Sequence, residues 1–196
     1  MGLEIELDKF LKIKTNGRDD TFSNFTNFPY EPTPYVVLQK LTNSGYIGKR
    51  DKVIDYGCGK GRVSFYISFA TKAKTIGVEL AERLYNAALE NHKKCISSNR
   101  VEFVNHDASL YDVPSDTTAA YFFNPFSTEI LAKVLEKIKK SLEENKRNFK
   151  LFFYYPSKEY LSFLEKDFML NLIDEIDCKD HFDGDNRECI LVFEII

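Results

Sequence analysis

A short β-branched run, Lys52 to Tyr56, ends directly in three glycines at alternate positions, Gly57, Gly59 and Gly61. This junction constrains the fold more than any other stretch. The run predicts a strand, and Arg62 to Ala70 beyond the glycines predicts a helix. Glycines between the two allow a sharp turn and leave backbone N–H groups exposed at the helix start.

The rest of the chain supplies further elements. Thr33-Pro34 predicts a helix start, with Thr as N-cap and Pro at the first helical position. Val37, Leu38 and Leu41 give that helix an apolar face, and Gly45 ends it. Thr75 to Val78 is a strand, Ala81 to Cys95 a helix and Val101 to Val104 a strand. Ala119 to Phe123 is a further strand. Thr128 to Leu142 is a helix with an apolar stripe at Ile130, Leu131, Val134, Leu135 and Ile138. Phe149 to Tyr155 is a strand, followed by a short helix at Lys158 to Glu165. Phe168 to Ile176 and Cys189 to Ile195 close the chain as a strand pair. The alternation predicts an α/β fold with a mostly parallel sheet, helices on both faces and an antiparallel last strand.

Length and composition agree with one domain. The chain has 196 residues, 43% of them hydrophobic, which is enough for a full core. A net charge of −3 weakens a nucleic-acid partner, which would favour a basic surface. Cys58, Cys95, Cys178 and Cys189 form no C-x-x-C pair, so they read as reduced thiols of a cytoplasmic protein. The first ten residues alternate acidic and apolar side chains, unlike a signal peptide. Gly2 invites a lipidation signal, but Glu6 stands where Ser or Thr is wanted. No apolar run is long enough to cross a membrane. Asp180, His181, Asp183 and Asp185 read as a polar turn and not a metal loop, because Gly184 falls too early and Arg187 replaces a ligand. Residues 1–32 form an expected N-terminal arm or lid ahead of a domain at 33–196. Phe22, Phe25 and Phe28 in that arm point to docking on the domain.

In a doubly wound sheet, ligands bind beyond the carboxyl ends of the strands where strand order reverses. Chemistry-bearing residues follow four successive strands. Asp55 lies near the end of the first, and the Gly57-Cys58-Gly59 turn follows it. Glu79, with Leu80 after it, follows the second and suits two ribose hydroxyls. His106-Asp107-Ala108 follows the third, where a carboxylate can accept from an adenine amine. Asn124-Pro125-Phe126 follows the fourth. A dinucleotide fingerprint would need a third small residue where Arg62 stands, and Lys60-Gly61-Arg62 is no phosphate loop.

On the residues Val53 to Gly61, Ile76 to Glu79 and Val104 to Ala108, the chain resembles the class I S-adenosylmethionine-dependent methyltransferases. The resemblance implies a Rossmann-like seven-stranded sheet, with strand seven antiparallel between strands five and six. It implies S-adenosylmethionine as cofactor. Asp55 would orient the amino-acid end, with Gly57, Cys58 and Gly59 packed against it. Glu79 and Leu80 would hold the ribose, and Asp107 and Ala108 the adenine. Tyr30-Glu31-Pro32-Thr33-Pro34 resembles the segment covering the cofactor in Dot1-like lysine methyltransferases. Asn124-Pro125-Phe126 resembles the N-P-P-[YF] motif of amino-group methyltransferases, without its second proline.

Both resemblances imply a nitrogen nucleophile on a protein or small molecule. Asn124 would hold the acceptor and also touch the cofactor. Phe126 would wall the acceptor or pack in the core. Tyr30, Thr33, Tyr35 and Pro125 would be lid and substrate contacts. Two alternatives differ in class: a non-catalytic nucleotide-binding module, and a nicotinamide-dependent oxidoreductase disfavoured by Arg62.

Overall fold

A computed structural model describes residues 2–21, 26–182 and 184–196. Phe22, Phe25 and Asp183 lie outside the described residues. The first strands are β1 (Lys52–Tyr56), β2 (Lys74–Glu79), β3 (Val101–Asn105) and β4 (Ala119–Phe122). They are followed by β5 (Lys150–Tyr154), β6 (Leu170–Asp177) and β7 (Cys189–Ile195). Together they make one seven-stranded sheet in the order β3-β2-β1-β4-β5-β7-β6. Neighbours from β3 through β5 run parallel, and β7 runs antiparallel to both β5 and β6. Strand order therefore reverses between β1 and β4, which opens a crevice beyond their carboxyl ends.

The helices are α1 (Leu3–Leu11), α2 (Tyr35–Asn43), α3 (Arg62–Thr71), α4 (Glu82–His92), α5 (Thr128–Glu144) and α6 (Lys158–Leu164). Two apolar layers sandwich the sheet. Leu11 of α1, Leu38 of α2, Phe65 of α3 and Ala88 of α4 belong to one layer. Leu131, Val134, Leu135 and Ile138 of α5 belong to the other, joined by Tyr160 of α6. Strands β1, β4 and β5 are buried nearly end to end, which is why they read as mostly apolar runs. At the sheet edge, β6 carries Asp174, Glu175 and Asp177, and these charges discourage pairing with another chain. No helix of the described residues is long and apolar enough to cross a membrane.

Two features depart from the sequence reading. The stretch expected as an N-terminal arm or lid begins with a helix the sequence did not announce, α1, which packs on α2 and contributes the buried Leu11 and Asp8. Leu3, Leu7 and Leu11 recur every fourth residue, and this helical stripe underlies the acidic–apolar alternation. Secondly, α2 begins at Tyr35, and Thr33 does not cap it. The Tyr35 N–H instead donates to Glu4 of α1 at 2.9 Å, so a carboxylate from another helix satisfies this end.

Candidate active-site cleft

A cleft of about 330 Å³ lies over the carboxyl ends of β1 to β4. Its volume falls in the range of small-molecule sites, roughly 300–1,000 Å³. The glycine turn forms one wall. The Gly57 and Cys58 N–H groups both donate to the Val78 carbonyl, at 2.9 and 3.2 Å, which pins the turn to β2. Gly57 has φ +71°, and a Cβ there would sit 2.5 Å from Pro125 Cβ. At Gly59, φ is +55° and a Cβ would meet the Tyr30 ring at 2.1 Å. Only glycine therefore lets Pro125 and Tyr30 close this tightly on the turn.

The acids sit at the strand ends. Asp55 is buried and accepts from the Ser64 N–H at 3.2 Å and the Ser64 hydroxyl at 2.8 Å. Burial pushes its carboxyl up to about 7, against the pull of these two bonds. Glu79 Oε2 accepts from the Gly59 N–H at 2.8 Å, and Oε1 from the Ala81 N–H at 2.8 Å. It thus braces the glycine turn and the start of α4 together. Burial raises its carboxyl too, and the same N–H groups pull it back. Each Glu79 oxygen keeps a second acceptor site for a ligand hydroxyl. Asp107 Oδ1 accepts from the Ser109 N–H at 2.8 Å and the Ser109 hydroxyl at 2.7 Å. Leu80, Asp107 and Ala108 all line the cleft. The Cys58 thiol also lines it, and burial raises it well above its ordinary value, so it carries no nucleophilic thiolate.

The roof comes from the N-terminal segment. Asp19 and Tyr30 exchange backbone hydrogen bonds at 3.0 and 2.9 Å. The Phe28 N–H donates to the Pro125 carbonyl at 3.2 Å, and the Ser127 N–H to the Thr26 carbonyl at 2.9 Å. The Tyr30 hydroxyl donates to the Thr15 carbonyl at 2.6 Å. On the far side, Arg83 of α4 reaches over to an ion pair with Asp19.

Arg62, weighed in the sequence only as an obstacle to a dinucleotide fingerprint, anchors this roof. Its guanidinium is 2% exposed. It donates to the Thr15 hydroxyl at 2.7 Å, Asn16 Oδ1 at 2.7 Å, the Thr33 carbonyl at 3.2 Å, and Glu4. Asp8 lies 3.6 Å away and accepts from Thr15, Asn16 and Tyr35.

Three expectations are corrected. Tyr35 is no lid contact: it is fully buried, and its hydroxyl donates to Asp8 at 2.7 Å. Asn124 does not line the cleft. Its Nδ2 donates to the Tyr155 carbonyl at 2.6 Å, and its Oδ1 accepts from the Ser157 N–H at 3.0 Å. A left-handed φ of +41° aims it at this neighbouring loop and away from an acceptor or cofactor. Thr33 does line the cleft, but its hydroxyl meets the Tyr121 hydroxyl at 3.0 Å where a helix cap was expected. Phe126 lines the cleft while only 4% exposed and packs edge-on against Phe122, so it is wall and core at once. Tyr121 and Phe123 also line the cleft. They were legible only as members of an aromatic strand.

Replacing Asn124 with Ala should cost about 1–3 kcal/mol of stability, because a partly buried N–H and a partly buried carbonyl lose their partners. Cofactor affinity should stay within about twofold, since each tenfold needs about 1.4 kcal/mol. Urea unfolding and calorimetry read the two effects separately.

The model of a family described as a methyltransferase domain matches residues 53–145. A protein-lysine N-methyltransferase of Saccharolobus islandicus (strain REY15A) is 31% identical over 111 residues, which span 56% of this chain and 68% of that protein. A SAM-dependent methyltransferase from Aquifex aeolicus aligns with TM-score 0.64 at 18% identity, covering 85% of this chain and 94% of that one. An RNA methyltransferase from Salinibacter ruber in complex with S-adenosyl-L-homocysteine aligns with TM-score 0.61 at 19% identity, covering 84% and 94%. These last two likenesses bear on the fold alone. The cleft suits such a cofactor, with a glycine turn along one wall and acids spaced along three strand ends. Taken with the curated relative, the sheet order and the glycine turn make this chain a class I S-adenosylmethionine-dependent methyltransferase, an enzyme that takes S-adenosylmethionine as its cofactor.

Proposed function

We propose that the chain methylates a nitrogen nucleophile, in particular a lysine side chain of a protein. The observation that carries this reading is the division of the cleft. The ends of β1, β2 and β3 bring Asp55, Glu79 and Asp107, while the end of β4 and the roof bring Phe28, Tyr30, Tyr121, Phe123 and Phe126. The first half has the hydrogen-bonding groups that a charged amino-acid end, a ribose and an adenine require. The second is aromatic and suits an acceptor. The curated relative's description as a protein-lysine N-methyltransferase supports the choice of acceptor.

On this reading, Asp55 takes the cofactor's ammonium, Glu79 the ribose hydroxyls, and Asp107 beside Ala108 the adenine amine. S-adenosylmethionine supplies an electrophilic methyl that passes to nitrogen as the carbon–sulfur bond breaks and its electron pair stays on sulfur. The work left to the protein is alignment and exclusion of water. Tyr30 and Pro125, closed on the glycine turn, serve both. An ammonium acceptor must shed a proton to solvent before it attacks.

The state of Asp55 gives this reading a pH dependence. Its carboxyl is raised to about 7, so in the ligand-free protein it is neutral below that pH and charged above. Affinity for S-adenosylhomocysteine should fall as pH drops from 8 to 6, by up to about tenfold per unit below the titration. Stability of the ligand-free protein should move oppositely. Between the ordinary carboxyl value and about 7 the folded state holds the extra proton, so Asp55 lowers stability as pH rises. Calorimetry over that range, with Asp55→Asn as a pH-insensitive control, checks both signs.

The acceptor class is tested by incubating the chain with methyl-labelled S-adenosylmethionine and a cell extract. Label on lysine nitrogen of protein is expected. Label confined to nucleic acid, or to oxygen, would overturn the reading.

A further inference from the structure

The acceptor half of the cleft lacks the group the sequence assigned to hold the acceptor, because Asn124 is committed to Tyr155 and Ser157. What remains there is aromatic. Not every ring is available. Tyr121 is 1% exposed and Phe126 is packed on Phe122. Tyr30 closes on Gly59, and the Lys60 ammonium sits 4.9 Å from its ring centroid. Phe28 also lines the cleft and is 43% exposed on the roof, but Phe123 is set apart by its bracing. It is only partly buried, it lines the cleft just beyond β4, and other rings brace it. Tyr154 lies 4.6 Å away and Tyr155 6.5 Å away, centroid to centroid. Packing on two neighbours holds the ring with little conformational freedom to lose on binding.

The charges around this half favour a cation. Two arginines line the cleft, and both are committed: Arg62 to Glu4, Thr15, Asn16 and Thr33, and Arg83 to Asp19. Glu31 on the roof adds a carboxylate to the lining, 3.6 Å from Arg18. A cationic amine entering here meets a braced ring in a cleft where Asp19, Glu31, Glu79, Glu82 and Asp107 outnumber the arginines. Neither arginine is left with an uncommitted guanidinium to repel it.

We propose that Phe123 is a specificity-determining residue that selects a cationic alkylamine acceptor through its ring, in place of the hydrogen bonding expected of Asn124. The inference rests on the nitrogen-acceptor reading and deepens it. A ring face attracts an ammonium by its quadrupole, and a saturated side chain of similar size does not.

Phe123→Leu keeps apolar bulk and removes the ring, and Phe123→Tyr keeps the ring. With poly-L-lysine as acceptor, Phe123→Leu should raise KM about tenfold, while Phe123→Tyr stays near the parent. Calorimetric affinity for S-adenosylhomocysteine should be unchanged in both. A second readout needs no turnover. Choline should bind the S-adenosylhomocysteine-loaded protein several-fold more tightly than its uncharged isostere 3,3-dimethylbutan-1-ol, and Phe123→Leu should abolish that preference. Retention of the preference, or an unchanged KM in Phe123→Leu, would overturn the role of Phe123 alone. Failure of the parent protein to label poly-L-lysine at all would overturn the nitrogen-acceptor reading, and this inference with it.

Discussion

Replacing Glu79 with Ala is expected to weaken S-adenosylhomocysteine binding by at least about 100-fold, equivalent to roughly 3 kcal/mol. The size follows from a double loss. Glu79 braces the Gly59 and Ala81 N–H groups, each at 2.8 Å, and the proposed ribose contacts use the same carboxylate. Hydrogen bonds to a charged group contribute about 1.5–3 kcal/mol each, so two ribose contacts alone reach the stated range. Glu79→Gln separates the parts. Its single carbonyl oxygen can serve one of the two N–H groups, and its NH2 opposes the other. It should therefore fall between the parent and Glu79→Ala in affinity. Calorimetry measures both variants, and an affinity for Glu79→Ala within tenfold of the parent would remove Glu79 from the site.

Replacing Arg62 with Met is expected to destabilise the chain by about 3–5 kcal/mol, the usual penalty for removing one partner of a buried ion pair. Asp8 is 4% exposed and would lose its neighbouring cation, while the Thr33 carbonyl would lose its donor. The double variant Arg62→Met with Asp8→Asn should recover part of that loss, because no buried charge is then left unpaired and the amide still bonds Thr15 and Tyr35. Because Arg62 also fastens Thr15, Asn16 and Thr33, the single variant should loosen the roof and lower cofactor affinity more than global stability alone explains. Urea midpoints and calorimetry at a temperature where both proteins are folded test this. A variant as stable as the parent would contradict the anchoring role.

These two residues also mark how far a single sequence can be read. The strands were legible because burial on both faces leaves a mostly apolar run, unbroken at β4 and, after the leading lysines, interrupted in β1 only by Asp55. The closing strand matches its expected bounds, Cys189–Ile195, since a polar turn precedes it and β-branched residues fill it. Glu79 was legible as a strand-end acid, but its bracing of the glycine turn was not, because that bond joins residues 20 positions apart. The anchoring role of Arg62 was illegible for a related reason. Its partners Glu4, Asp8, Thr15 and Thr33 are scattered along the N-terminal segment, and no local pattern announces a buried polar hub. Tyr35 was placed at the lid because it neighbours the Tyr30–Pro34 segment. The first turn of α2 rotates it into the core instead. Asn124 was expected to face an acceptor by its position beyond β4. Its left-handed backbone, a conformation that Asn tolerates better than most residues, directs it toward the loop after β5.

The proposal that the cofactor lies between the glycine turn and the acids of three strand ends meets its most direct test in a crystal structure of the chain grown with S-adenosylhomocysteine. The amino-acid end is expected beside Asp55 and Gly57, the ribose hydroxyls within hydrogen-bond distance of Glu79, and the adenine against Ala108 with Asp107 at its amine. A ligand seated elsewhere, or one that leaves both Asp55 and Glu79 without contact, would contradict it.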